Sequence, residues 1–447
     1  DLSTASITYL DKEGGLLLQE DQNIPRISEK RVTKQVIYDE HSKHIEKTAD
    51  GDKEIKNVLR YDTIGHTWKY RINFKWQPLE ALYGWGSHME DYMNLRGKEL
   101  YLCQHNLKAM VPVLNSTAGY GLLFDAGCAM MFKDNSEGSF VELEAAKQID
   151  YYFMKGKTMD AVVANYRMLT GNSPMMPLYL FGYIQSKERY VSSDDLINTL
   201  KEYRQRQIPI DMIVQDWNYW PEGQWGNMSM NPKFYPDKRK LADEIHSLHA
   251  KLMISIWPNA MNCPQHEEFK RKGWLLSGTS VYDAFNPLAR KLYWNYANNE
   301  FFDNGFDAWW CDASEPLDAD WTFMKDGYGA DNHRQRWELN TNLQNSVLGA
   351  ERSQLYSLYH AKGIYENQRS TNEDKRVVNL TRSSYAGQQR YSTITWNGDT
   401  YATWQSFAQM IPAGLNFMAT GCPYWTVDIG AFFTKNGPQW FWKGDYD

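Results

Sequence analysis

SSDDLINTLKEYRQRQIPIDMIVQD, Ser192–Asp216, and YPDKRKLADEIHSLHAKLMISIWP, Tyr235–Pro258, repeat one pattern. In the first, a Ser/Asp start precedes Leu196, Ile197, Leu200 and Tyr203, whose spacing predicts a helix with one buried stripe. In the second, Leu241, Ile245 and Leu248 do the same. Each helix is followed within a few residues by a short, almost wholly apolar run, PIDMIVQD or KLMISIWP. Amphipathic helix followed by buried strand is the signature of parallel β/α units.

Working outward, the same rhythm continues. Asn286 and Pro287 open a helix that ends at Asn304 and Gly305, just before FDAWWCD, Phe306–Asp312. Strands are predicted near 179–185, 210–216, 252–257, 306–312, 376–382, 392–396 and 423–428. Seven such strands, with no GxGxxG or GxxxxGKS loop after any of them, favour a (β/α)8 TIM barrel over a nucleotide-binding open sheet. An eighth strand is not found, so the barrel is expected to be incomplete at the C-terminus of this chain and the chain to be poorly soluble or inactive alone. Before about residue 170 the pattern differs. KQVIYDE, NVLRYDTI, HTWKYRINFKW, AMVPVLNS, GYGLLFD and SFVELE are short β-rich segments separated by Gly, Asn and Asp, which read as an antiparallel sandwich. A helix near Thr158–Gly171 leads into the turn-rich NSPMMP. The expected division is therefore an N-terminal β-sandwich over 1–172 and a barrel over 173–447.

The 447 residues carry 48 basic and 55 acidic side chains, a net charge of −7, with no long basic tract; nucleic acid is a poor partner on that balance. No run approaches the roughly 18–20 apolar residues of a membrane span. Five widely spaced Cys without a CxxC pair support neither a disulfide framework nor a zinc site, and no metal or organic cofactor is expected. The start, DLSTASITYL, shows no signal peptide; compartment and oligomeric state do not follow from the sequence. Aromatic residues make up 15% of the chain, with 18 Trp and 29 Tyr, a load that suits either an aromatic core or stacking on sugar rings.

In a β/α barrel the chemistry sits where strands end. The predicted strands close with Asp216, Trp257, Asp312, Arg382 and Asp428, and the sixth leads to Asp399. By alternation Asp312 shares a face with Trp310 and Ala308, Asp216 with Val214 and Met212, and Arg382 with Leu380 and Val378. Each acid alone reads as a helix N-cap. Four of them at equivalent ends, without a His cluster, suit glycoside hydrolysis by paired carboxylates.

These residues also carry a resemblance. WWCDASE, Trp309–Glu315, resembles the nucleophile motif of glycoside hydrolase family 31, the retaining α-glycosidases, and WNGD, Trp396–Asp399, resembles its acid/base motif. The resemblance implies Asp312 as nucleophile and Asp399 as general acid and base. TRSSYAGQQRY, PYWTVDIGAF and DMIVQDW resemble the segments that bring Arg382, Asp428 and Asp216 to the substrate, and Glu315 closes the nucleophile motif. Trp257, Trp310 and Trp396 are expected to wall a sugar pocket, barrel packing being the competing account, stronger for Trp309 than for Trp257. YGWGSHMEDYMNLRGK, Tyr83–Lys98, resembles a sandwich loop that approaches the barrel. Asn397 and Ala431 stand where Ser and Gly are frequent in the family. FGYIQSKERY and QDWNYW look most like the α-xylosidase branch, with α-glucosidase next. Alternatives are an α-galactosidase or α-N-acetylgalactosaminidase, a transglycosylase, and a carbohydrate-binding relic. Arg189 is placed equally as a substrate contact or a carboxylate partner. His246, His249 and His360 read as solvated or core residues, and the sequons at Asn115, Asn227 and Asn379 as accidental.

Overall fold

The computed structural model describes residues 1, 4–48, 51–319, 332–436 and 444–445. Seven parallel strands pair in chain order: Ile184–Gln185, Met212–Gln215, Lys251–Ile256, Ala308–Cys311, Asn379–Thr381, Thr393–Trp396 and Trp425–Thr426. Helices Ser193–Gln205, Lys238–Ser247, Pro287–Glu300, Tyr356–Thr371 and Trp404–Ala419 fall between them. Their starts are set locally. Ser192 accepts from the Asp195 amide, Asp237 from Lys240 and Asn286 from Leu288, each an N-cap side chain satisfying an orphan donor.

Alternation divides the strands into two faces. Met212, Val214, Met253, Ala308, Val378, Leu380, Ile394 and Trp396 form one inner cluster. Ile213, Leu252, Ile254, Ile256, Trp309 and Cys311 pack outward against the helices through Leu196, Leu200, Leu241 and Ile245. Trp309 is therefore a packing residue, its Nε1 donating to Gln368 Oε1 at 2.7 Å. With both faces covered, these strands read in sequence as near-continuous apolar runs.

Two expectations change. The first parallel strand is Ile184–Gln185 alone, because Leu178–Phe181 forms a 3-10 turn behind Pro177. Proline fixes φ there and cannot donate, which suits a turn entry, and Leu178 and Phe181 lie exposed. In the N-terminal part, NVLRYDTI and HTWKYRINFKW are not separate strands. Val58–Lys75 runs through Gly65 as one strand, paired antiparallel with Ile27–Tyr38 across register shifts.

That long strand belongs to a seven-stranded antiparallel sheet. A four-stranded antiparallel sheet of Leu82–Ser87, Ala109–Ser116, Tyr120–Phe124 and Tyr151–Lys155 faces it. Ile72, Leu100, Phe132 and Leu143 of the first sheet share a core with Leu82, Met110, Leu122 and Phe124 of the second. Among the described residues no helix is long and apolar enough to cross a membrane.

Candidate active site

The ends of the parallel strands open into a cavity of about 720 Å³ lined by Asp216, Trp257, Trp310, Asp312, Trp396, Asp399 and Asp428, with Trp217 and Trp225 beside them. Strand geometry accounts for the convergence. Asp216, Asp312 and Asp428 follow the last inner-facing residues of their strands, so the pleat that buries Val214 or Trp310 inside turns each acid toward the mouth, while Asp399 comes three residues after Trp396, beyond Gly398 at φ +84°.

Arg382 ties three of the carboxylates together. Its Nη1 lies 3.3 Å from Asp312 Oδ1 and 3.0 Å from Asp399 Oδ2. Its Nε donates to Glu315 Oε1 at 2.8 Å, and its Nη2 also bonds that oxygen. Ser383 Oγ adds a bond to Glu315 Oε2 at 3.3 Å. Arg382 is only 1% exposed and the Glu315 side chain 0%, and neither lines the cavity. Glu315, expected among the substrate contacts, thus stands behind Arg382 and anchors it from below.

The other two acids lie apart from that tie. Asp216 Oδ1 accepts the Trp217 amide at 2.8 Å. Burial pushes its carboxyl well above the usual range, helped by the charges of Asp312, Asp399 and Asp428. Asp428 is pushed up to about 8, by burial first and then by Asp399. Both directions follow from removing a carboxylate from water beside like charges.

The tryptophans form the walls. Trp310 and Trp396 meet edge to face with ring centroids 5.0 Å apart, and Trp225 and Trp257 likewise at 5.1 Å. Trp257 Nε1 donates to Ser255 Oγ at 3.2 Å. Among the described residues Arg189 has no carboxylate in an ion pair and is not one of those lining the cavity; its guanidinium lies over the Trp217 ring at 5.7 Å from the centroid.

A group from the antiparallel part, missed in the sequence, completes the site. Asn106 donates from Nδ2 to Asp399 Oδ2 at 2.8 Å and accepts the Asp399 amide on Oδ1 at 2.9 Å. Gly398 makes this approach possible, since at its φ of +84° a Cβ would meet Asn106 Oδ1 and the Leu107 nitrogen. Met89, from the segment expected to approach the barrel, touches Asn397 just after the sixth strand, its Sδ 3.8 Å from Nδ2.

Elsewhere, His246 pairs with Asp307 at 2.7 Å, and His360 is buried against the Tyr282 hydroxyl at 2.6 Å. Asn115, Asn227 and Asn379 are all buried, which suits none of them as a glycan acceptor. Among the described residues no group of three or more His, Cys, Asp or Glu is arranged to hold a metal ion.

Residues 173–443 match the family described as Glycosyl hydrolases family 31 TIM-barrel domain. The chain is 36% identical over 388 residues to an α-xylosidase of Saccharolobus solfataricus, an overlap of 85% of this chain and 51% of that protein. It is 26% identical over 412 residues to α-xylosidase A of Aspergillus niger, covering 86% of this chain and 55% of the relative. A crystal structure of a family 31 α-xylosidase from a soil metagenome, complexed with xylose, superposes with a TM-score of 0.76 at 26% identity, covering 97% of this chain and 62% of that one. The chain therefore spans about half the length of the Saccharolobus relative. On the family match and these likenesses, the chain belongs to glycosyl hydrolases family 31.

Proposed function

We propose that this chain carries the catalytic barrel of an exo-acting, retaining α-glycosidase that removes a terminal α-linked sugar, an α-xyloside before an α-glucoside. One observation carries the reading: Asp312 Oδ1 and Asp399 Oδ2 both contact Arg382 Nη1, at 3.3 and 3.0 Å. The two oxygens therefore lie no farther apart than those two contacts laid end to end. That closeness of one oxygen from each carboxyl is compatible with the roughly 5–5.5 Å between carboxyl groups in double displacement.

In this reading Asp312 attacks the anomeric carbon, its charged form favoured by Arg382 and by the Ala313 amide at 2.7 Å. Asp399 protonates the leaving oxygen and then takes a proton from the water that releases the sugar. Asp428, largely protonated at neutral pH, both donates to and accepts from sugar hydroxyls, and Asp216 does the same. Trp257, Trp310 and Trp396 offer faces and edges to the ring while keeping bulk water out. The preference for xylose rests on the named relatives, all three of them α-xylosidases.

The test uses the intact enzyme with 4-nitrophenyl α-xyloside, 4-nitrophenyl α-glucoside and an α-xylosyl disaccharide. Asp312→Ala and Asp399→Ala should each slow disaccharide cleavage by at least about a thousandfold. On the aryl xyloside only Asp399→Ala should still form, and accumulate, the glycosyl-enzyme. NMR should detect the α-anomer first. Unchanged turnover in either variant, or β-anomer as the first product, would overturn the mechanism; faster cleavage of the glucoside would overturn the choice of xylose.

A further inference from the structure

We propose that Asn106 is the positioning residue that orients Asp399 and selects which of its oxygens carries the proton, a proposal that rests on Asp399 being the general acid. Asn106 comes from the antiparallel part of the chain. His105 and Lys108 exchange backbone hydrogen bonds of 3.2 and 2.9 Å, which leaves Asn106 and Leu107 as a two-residue turn, with Leu107 at φ +78°.

The turn is held from every side. The Asn106 amide donates to Asp318 Oδ2 at 2.7 Å, and its carbonyl accepts from Arg336 Nη2 at 3.3 Å. Lys108 Nζ bonds Glu90 and the Tyr101 carbonyl, the latter at 3.0 Å, and His333 Nδ1 lies 3.5 Å from Glu90. A residue clamped in this way has little freedom to turn its side chain elsewhere.

That side chain reads Asp399 in only one sense. The Asp399 backbone N–H needs an acceptor and its carboxylate needs a donor, so the amide oxygen and nitrogen have a single consistent assignment. Oδ2 of Asp399 then accepts from both Asn106 Nδ2 and Arg382 Nη1. An oxygen already taking two donors is a poor seat for a proton, so the acid form carries it on Oδ1. The same donors favour the ionised state and offset the opposing pull of the acids around it. Those groups are Arg382 from the fifth strand, Asp312 from the fourth, Asp216 from the second and Asp428 from the seventh.

The experiment compares Asn106→Ala and the isosteric Asn106→Asp with the intact wild-type enzyme, reading kcat/KM against pH on an α-xylosyl disaccharide and on 4-nitrophenyl α-xyloside. Losing a donor to the carboxylate should move the basic limb upward by about one pH unit or more in Asn106→Ala, and farther in Asn106→Asp, which adds a like charge. Cleavage of the disaccharide, which needs the proton, should fall at least about tenfold more than cleavage of the aryl glycoside, which does not. An unmoved basic limb with equal losses on both substrates would overturn the proposal and leave Asn106 a structural residue. Should Asn106→Ala be recovered unfolded, Asn106→Asp, which keeps the shape and the acceptor for the Asp399 amide, decides the question by the same readings. Asp399→Ala separates the two levels: disaccharide cleavage surviving in that variant would sink the assignment of the acid itself, whatever Asn106 does.

Discussion

Two sides of one cavity use the same residue type differently. Asp312 and Asp399, after the fourth and sixth strands, share the guanidinium of Arg382, which Glu315 holds from below. Asp216 and Asp428, after the second and seventh strands, face the same space, and burial and like charge push both carboxyls upward. Strand position therefore does not decide the surroundings of each carboxyl; the placement of the buried Arg382 guanidinium does. A single arginine biased to one side thus gives four aspartates at equivalent strand ends two kinds of surroundings.

The sharpest way to break the comparison is to remove that arginine. In Arg382→Met the buried Glu315 carboxylate loses its counter-ion while Asp312 and Asp399 lose their shared donor. Stripping one partner from a buried ion pair costs about 3–5 kcal/mol, and urea denaturation of the intact protein should read a loss of that order, with glycosidase activity abolished. Adding Glu315→Leu should recover part of the stability, more than the two single changes predict by addition, without restoring activity. Wild-type stability in Arg382→Met would mean that the tied side is not held by the tie.

How legible this arrangement is in the sequence depends on distance along the chain and on depth. Asp216, Asp312 and Asp428 are readable because period-two alternation after an apolar run fixes their face, and the inner cluster of Val214, Ala308, Leu380 and Ile394 follows that alternation. The first strand is harder, since Tyr179–Ile184 carries no charged residue and only Pro177 and Gly182 hint that half of the run turns. Depth is not encoded in spacing at all: Glu315 closes the same motif as Asp312, yet one lines the cavity and the other sits behind Arg382. Asn106 is the least legible, because it belongs to a turn in the antiparallel part, 293 residues before its partner. The only local signals are the short QHNLK turn and the glycine of WNGD, whose missing side chain is intelligible only once Asn106 is seen against it.

A smaller effect is expected on the untied side. If Asp216 is neutral in the free protein, Asp216→Asn keeps its shape and a donor and loses only the choice of which atom donates. One hydrogen bond of about 1 kcal/mol then corresponds to a fall of roughly five- to tenfold in kcat/KM on 4-nitrophenyl α-xyloside. A thousandfold loss would place Asp216 with Asp312 and Asp399 and erase the distinction between the two sides.

The smallest expected effect is on stability, at Asp428. Its carboxyl is pushed up from the ordinary 3.8 to about 8 in the folded protein. Between those values the folded state holds a proton that the unfolded chain has released, so stability must fall as pH rises through that window and level off above it. This is the reverse of the usual salt-bridged aspartate, whose contribution is lost on acidification. Asp428→Asn cannot release a proton, so the difference in urea midpoint between pH 5 and pH 9 should be smaller in the variant, with the variant gaining on wild type at the alkaline end. The cavity leaves the carboxyl partly exposed, which keeps the change modest. Because Asp399 is the charge that adds to burial at Asp428, Asp399→Asn should remove part of the same slope. Equal slopes in wild type and Asp428→Asn would show that burial and the neighbouring Asp399 do not hold a proton on the seventh-strand acid.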